Sequence, residues 1–310
     1  MGCCLAGNNK KNRVDWFWFK VYSFLNFNSV EFLLPGMAIL ITGGKGFVGS
    51  ILVDFFKKTG RKIVLMEADI TNKKEVLDFK SEESIEAIVH LAGVISGKNK
   101  EVFRRVNIEG TRNIMELGQK LQVKKIIFIS SLRVLSLSGN PYIDSKREAE
   151  KIVAGSGLPY IILRPSLIYG PGDNKNLAFL LRLIKILPVV PIFNFRMRPI
   201  FVEDVVLAIA KCLDLPANQT INLAGGETIS YHDLIELLKV RGYKIKSINA
   251  PRLFAVLLKF FSWLPFSPIS SWQAKTLLAD EVFVQDQWPS LLGIRETSFS
   301  DGLNRLLKNL

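Results

Sequence analysis

The ten residues from Ile41 to Ser50, ITGGKGFVGS, restrict what this chain can fold into more than any other stretch. The apolar run AILIT before the glycines reads as a strand, and Phe47 to Lys58 carries apolar residues at helical spacing. Gly43 permits a tight turn after the strand, Gly46 lets backbone approach a pyrophosphate, and Gly49 allows the helix to lie close to the strand. The helix N-terminus adds N–H donors and the positive end of the helix dipole. Glycines alone also serve ordinary turns; between a first strand and a helix they predict nucleotide binding.

The rest of the chain repeats that alternation. KIVLME, AIVHLAG, KIIFISS and YIILRPS read as strands, separated by helical patterns near Lys73 to Phe79, from Val102 to Leu121, and after Lys146. Apolar runs buried on both faces and joined by helices imply βαβ units and a parallel sheet. The fold class is therefore α/β: a Rossmann-like, doubly wound parallel sheet with a smaller, mostly helical C-terminal lobe. The expected division is an extension over 1–36, a nucleotide-binding domain over 37–165, and a substrate lobe over 166–310 interleaved with the last sheet strands.

Of the 310 residues, 41 are basic and 28 acidic, a formal net charge of +13 that favours anionic partners such as nucleotides or an anionic membrane surface. The charge is dispersed and no basic block is interleaved with aromatics, which argues against nucleic acid. Cys3, Cys4 and Cys212 make neither a disulfide framework nor a zinc pattern, which fits a cytoplasmic location. His90 reads as a structural residue of a strand end and His232 as a surface residue, so no metal site is expected.

The first 36 residues are rich in Phe, Trp and Asn without periodicity, and Asp15, Lys20 and Glu31 break them into pieces shorter than the roughly 20 apolar residues of a membrane span. Met37, directly before the first strand, reads as the true start, and the preceding segment as an upstream extension rather than an anchor. The apolar stretch PRLFAVLLKFFSWLPFSPISSW, 251–272, reads first as core and second as a patch for a partner or anionic lipid. A homodimer and peripheral association with a membrane or complex remain open.

Tyr142 and Lys146 form a Tyr-x-x-x-Lys pair. On a helix that spacing places both side chains on one face, about one turn apart. An ammonium beside the phenol lowers its pKa toward working pH and suits it to move a proton on a substrate hydroxyl or carbonyl. Ser131 closes the preceding strand.

The spacing Thr42-Gly43-x-x-Gly46-x-x-Gly49 resembles the T-G-x-x-G-x-x-G fingerprint of the short-chain dehydrogenases/reductases, and further motifs resemble the extended epimerase/dehydratase branch. The loop then also brings Lys45, Phe47 and Val48 to the cofactor. Asp69-Ile70 resembles the acid–apolar pair beside adenine; VHLAG, with Leu91, Ala92 and Gly93, resembles the strand end under the cofactor; VNIEGTRN resembles the helix that turns Asn107 inward. The resemblance implies Ser131, Tyr142 and Lys146 as catalytic residues, with Tyr142 and Lys146 also at the cofactor and Ser131 at the substrate. It implies NAD or NADP as cofactor: Glu67 at the second strand's end favours NAD, Lys45 could meet a 2′-phosphate, and the lean is slightly to NAD. The compressed RKIVLMEADI leaves no room for a separate third strand before Asp69.

LRPSLIYGPGDN resembles the segment in which Pro165 and Ser166 pass beside the nicotinamide and Tyr169 to Asp173 open the substrate cleft. Where related nucleotide-sugar epimerases place an arginine on the substrate pyrophosphate, this chain has Met197 flanked by Arg196 and Arg198, and the resemblance implies these two as candidate substrate-binding residues, with either, or neither, reaching in. Asp204 is expected to cap the next helix. The short link between Ser131 and Tyr142 resembles an atypical branch that includes the dehydrogenase-like accessory subunit of respiratory complex I, in which fold and cofactor site can outlive turnover. Two functions follow as expectations: an NAD(P)-dependent oxidoreductase or epimerase acting on a hydroxyl or carbonyl carbon of an anionic nucleotide sugar, or a cofactor-binding accessory protein of a membrane complex.

Overall fold

The structure, a computed structural model, describes residues 37–97, 99–137, 139–192, 196–249 and 287–310. The expectations for 1–36 and for the apolar stretch 251–272 lie outside the described residues. Residues 38–310 form one compact unit.

Strand β1 (Met37–Thr42) leads through the glycine turn into helix α1 (Phe47–Lys58), with the bounds the sequence pattern predicts. Then come β2 (Ile63–Met66), α2 (Lys73–Leu77) and β3 (Ser84–His90). The expected single helix over 102–121 is interrupted: α3 (Lys100–Phe103) passes into a π-helical turn at Arg104–Glu109 before α4 (Gly110–Lys120). Strand β4 (Lys125–Ile129), a 3-10 turn (Leu132–Leu135), α5 (Pro141–Ala154) and β5 (Tyr160–Pro165) complete the first half. Asn140 caps α5 by accepting the Tyr142 N–H at 2.9 Å, and Pro141 fits the first turn, where no intrahelical donor is needed.

The second half contains β6 (Ile168–Tyr169), α6 (Leu177–Ile186), β7 (Val190–Ile192), β8 (Arg196–Met197), β9 (Ile200–Phe201), α7 (Val202–Cys212) and β10 (Gln219–Leu223). It continues with β11 (Ile229–Ser230), α8 (Tyr231–Val240), β12 (Ser247–Asn249), α9 (Trp288–Leu292) and α10 (Phe299–Leu307). The C-terminal lobe is less purely helical than the sequence suggests, because β6 pairs with β9, β7 with β12 and β8 with β11 as short two-stranded ribbons.

The main sheet has the order β2-β1-β3-β4-β5-β10. Its pairings β1–β2, β3–β4, β4–β5 and β5–β10 are parallel, so the strand ends that bear loops fall on one edge. The order reverses between β1 and β3, and in open α/β sheets ligands bind outside the carboxyl ends at such a point. As the compressed sequence before Asp69 implies, no strand lies between β2 and Asp69, and the next strand, β3, comes after α2. Apolar residues from β1, β3, β4, α4 and α5, among them Leu40, Ile88, Ile114, Phe128 and Val153, fill one core; Tyr169, Leu181, Phe201, Leu234 and Leu303 centre a second in the smaller lobe.

Candidate active site

The glycine turn opens the site. Gly43 has φ +71°, and a Cβ there would lie 2.7 Å from the Ala92 nitrogen, so neither conformation nor space admits a side chain. A Cβ at Gly49 would lie 2.1 Å from the Gly43 carbonyl oxygen, the close helix–strand packing expected from sequence. Beside this turn, Gly43, Lys45, Glu67, Asp69, Ile70 and Ala92 line a cavity of about 260 Å³. Six residues proposed from scattered motifs thus share one concavity at the switch point. Lys45 Nζ and Glu67 Oε1, rivals for the choice of cofactor, stand 3.3 Å apart.

Behind the cavity runs a buried chain of hydrogen bonds. The Ala92 N–H donates to Thr42 Oγ1 at 3.2 Å, Thr42 Oγ1 and His90 Nδ1 are 2.7 Å apart, His90 Nε2 and Thr111 Oγ1 are 3.1 Å apart, and the Thr111 hydroxyl donates to the Asn107 carbonyl at 2.7 Å. Thr111 has one proton and gives it to a carbonyl, so His90 must donate from Nε2 and accept at Nδ1. Burial, and next the Lys146 charge, lower the His90 pKa to about 3, which keeps that neutral tautomer. His90 is the structural residue the sequence suggests, tying the ends of β1 and β3 to the π turn.

The π turn places Asn107. Its Oδ1 accepts the Val94 N–H at 2.8 Å, and its Nδ2 donates to the Val94 carbonyl at 3.0 Å and to Ser145 Oγ at 2.9 Å. Ser145 in turn donates to the Tyr142 carbonyl at 2.7 Å. Lys146 is buried, donates to the Ile129 carbonyl at 2.8 Å and lies 4.7 Å from the centre of the Phe128 ring. A Cβ built on exposed Gly93 would fall 3.5 Å from Lys146 Nζ and 3.1 Å from Asn107 Oδ1, so the strand end, the π turn and α5 converge.

Tyr142 packs against Phe103, ring centres 6.3 Å apart, and Ser131 stands near its phenol. The sequence reading of a phenol pulled down by Lys146 is corrected here. Burial pushes the Tyr142 phenol up, opposed first by the Ser131 hydrogen bond and then by Arg133. Burial also lowers Lys146 to about 8, with Glu150 opposing. The lysine is turned to the Ile129 carbonyl.

Three other expectations change. Tyr169 does not line an open cleft: it is 1% exposed, packed edge-on against Phe201, and Phe299 and Gly302 of α10 close over it. Arg198 is turned inward, donating to the carbonyls of Gly225 and Gly226 at 3.0 Å each, while Arg196 is exposed on β8 and Met197 is buried. Asp204 does not cap α7 but accepts the N–H and hydroxyl of Thr297, both at 2.9 Å, and so fastens the C-terminal segment. Pro165 is buried at the end of β5, and Ser166 donates to the Arg198 carbonyl, joining the sheet edge to the smaller lobe.

Other residues, not singled out in the sequence, shape the site. Arg147 reaches the carbonyls of Val134 and Ser136 and holds the short link between Ser131 and Tyr142 against α5. Glu150 accepts two hydrogen bonds from Arg164, at 2.9 and 2.6 Å, fixing α5 to β5. No spacing rule marks either, since each partner is set by tertiary structure.

Comparison with known proteins agrees with this geometry. The chain is 27% identical over 183 residues to a sterol-4-alpha-carboxylate 3-dehydrogenase (decarboxylating) of Candida albicans, covering 44% of this chain and 52% of that protein. It is 29% identical over 246 residues to UDP-glucose 4-epimerase of Vibrio cholerae, covering 66% and 75%. The match thus spans about half the length of the first relative and three-quarters of the second. Among solved structures, UDP-glucose 4-epimerase from Thermotoga maritima, crystallised with UDP-glucose, superposes with a TM-score of 0.71 at 20% identity, covering 88% of this chain and 98% of that one, a likeness of fold. The model of the NAD dependent epimerase/dehydratase family matches residues 39–224, more than half of the chain and the whole span from the glycine turn to the last sheet strand, and the chain belongs to that family.

Proposed function

We propose that this chain is an NAD-dependent oxidoreductase or epimerase-type enzyme acting on a hydroxyl- or carbonyl-bearing carbon of a nucleotide sugar. The observation that carries the reading is Lys146, buried and held by the Ile129 carbonyl at 2.8 Å one helical turn from Tyr142, with Ser131 near enough to the phenol to favour its ionised form. The glycine turn and the cavity lined by Gly43, Glu67, Asp69 and Ala92 suit a dinucleotide, because backbone there is stripped of Cβ atoms and a carboxylate stands at the rim. A bound nicotinamide dinucleotide supplies hydride acceptance and donation.

The chain's own residues do the rest. Tyr142 takes the proton of the substrate hydroxyl, or returns it to the carbonyl, and Ser131 orients the same oxygen while stabilising the phenolate. Lys146, held by the Ile129 carbonyl, would contribute positive charge to a bound nicotinamide dinucleotide, and Asn107 fixes the strand end around Gly93. Glu67 supports NAD over NADP by accepting from a ribose hydroxyl and repelling a 2′-phosphate. The similarity to UDP-glucose 4-epimerase supports the nucleotide sugar; with Arg198 turned inward, exposed Arg196 is the candidate for its diphosphate.

The raised Tyr142 phenol and the inward-turned Lys146 favour a second reading, a cofactor-binding accessory protein with little turnover. Titration with NADH and with NADPH, followed by nicotinamide fluorescence in wild type and Lys146→Ala, tests both. Tighter NADH binding that weakens in the variant, with turnover on a nucleotide sugar, supports the enzyme. Binding indifferent to Lys146, without turnover, supports the accessory protein.

A further inference from the structure

We infer that the outer face of α6, together with the edge formed by β7 and β12, is a docking surface for an anionic lipid bilayer. This inference is independent of the catalytic reading. The inner face of α6 carries Leu177, Ala178, Leu181 and Ile184 into the core of the smaller lobe. Its outer face is apolar as well: Phe179 is 41% and Ile186 76% exposed, and Val189 just beyond the helix is 38% exposed. Residues 179 and 186 follow helical spacing along one stripe that also carries exposed Arg182, with exposed Lys185 beside it. On the neighbouring strand Ile248 is 55% exposed and follows exposed Lys244 and Lys246.

The parallel pairing of β7 with β12 sets Ile248 opposite Pro191, and Lys185 lies 5.5 Å from the centre of the Tyr243 ring, so both groups belong to one surface. What selects the occupant is charge. From Asn174 to Val202 the sequence has no acidic residue, and from Leu237 to Asn249 it has none either while carrying four basic ones, of which Lys239 is paired at 2.8 Å with Glu236 and Lys244 and Lys246 are exposed. The ribbon joins these two acid-free tracts. A protein partner with an ordinary mixed surface does not call for so one-sided a field; exposed aliphatic and aromatic groups among cations suit insertion at the headgroup boundary with attraction to anionic lipid.

The test is vesicle flotation of the full chain with phosphatidylcholine alone and with phosphatidylcholine containing about a third phosphatidylglycerol. Wild type is expected to float with the anionic vesicles, less so in high salt, and to stay down with the neutral ones. Phe179→Glu/Ile186→Glu should abolish flotation, and Lys185→Glu/Lys246→Glu should lower partition by about an order of magnitude, with circular dichroism and melting unchanged because these groups are exposed. Equal partition to both vesicles, no flotation, or flotation unaffected by either pair overturns the proposal. Self-association that these substitutions abolish, without lipid binding, overturns it in favour of a second copy as occupant.

Discussion

Lys45 and Glu67 meet 3.3 Å apart at the mouth of the cavity, with 83% and 71% of their side chains exposed. A pair so open to solvent adds at most about 1 kcal/mol to stability, so either residue can be changed without unfolding the protein. Glu67→Gln is expected to weaken NADH binding about tenfold and to strengthen NADPH binding, as Lys45 turns to the 2′-phosphate. Fluorescence titration with both dinucleotides checks this; an unchanged ratio of the two affinities removes Glu67 from cofactor selection.

Tyr142→Phe keeps the ring against Phe103 and deletes only the phenolic hydroxyl. Turnover should fall by about two orders of magnitude or more, while NADH affinity stays as in wild type. Retained turnover in a correctly folded variant would place the proton transfer elsewhere.

Lys146, lowered to about 8 chiefly by burial, gives a pH dependence of defined sign. Its ammonium is present below that value, so NADH affinity should fall as pH rises through about 8, and Lys146→Met should lose this step. Stability moves the other way. The folded lysine releases its proton at about 8 and the unfolded one near its ordinary value of 10.5, so the unfolded chain binds more protons in that window and stability rises with pH across it. Melting temperatures of wild type and Lys146→Met between pH 7.5 and 10.5 should differ in slope.

His90 predicts acid lability. Its pKa is lowered from 6.5 to about 3 by burial and by Lys146, so unfolding takes up a proton as pH falls through that range and stability present above 6.5 is lost. The loss from this group is roughly 3 kcal/mol by pH 4. His90→Phe lacks this loss but strands the Thr42 and Thr111 hydroxyls, lowering stability at pH 7 by about 2–4 kcal/mol. Urea denaturation at pH 4 and pH 7 measures both effects, and parallel curves for the two proteins would count against the neutral-tautomer chain.

The geometry around the glycine turn was legible because local chemistry specifies it. Gly43 needs its φ, Gly49 needs its space, and the strand and helix around them follow from periodicity, so Thr42 to Gly49, Asp69 and Ala92 could be placed from short motifs. The packing of the segment after β5 was not. Tyr169 is buried by Phe299 and Gly302, 130 and more residues further along, and Arg198 by carbonyls at Gly225 and Gly226; neither partnership leaves a trace near the residue itself. The direction of Lys146 was likewise decided by the Ile129 carbonyl on the adjacent strand rather than by its distance in sequence from Tyr142.

The π turn at Arg104–Glu109 gives the site an unusual kind of sensitivity. A π turn takes in one residue more than an α-turn, and each α-helical residue advances the direction of the side chain by about 100°. Helices α3 and α4 are therefore held out of phase by a surplus residue, and the aim of Asn107 at Val94 and Ser145 is encoded in chain length. A one-residue deletion within 104–109 would let the three segments merge into a single regular helix, keep every apolar residue of α4 available to the core, and swing the amide away from the strand end. At this place the protein tolerates exchange of letters better than loss of one.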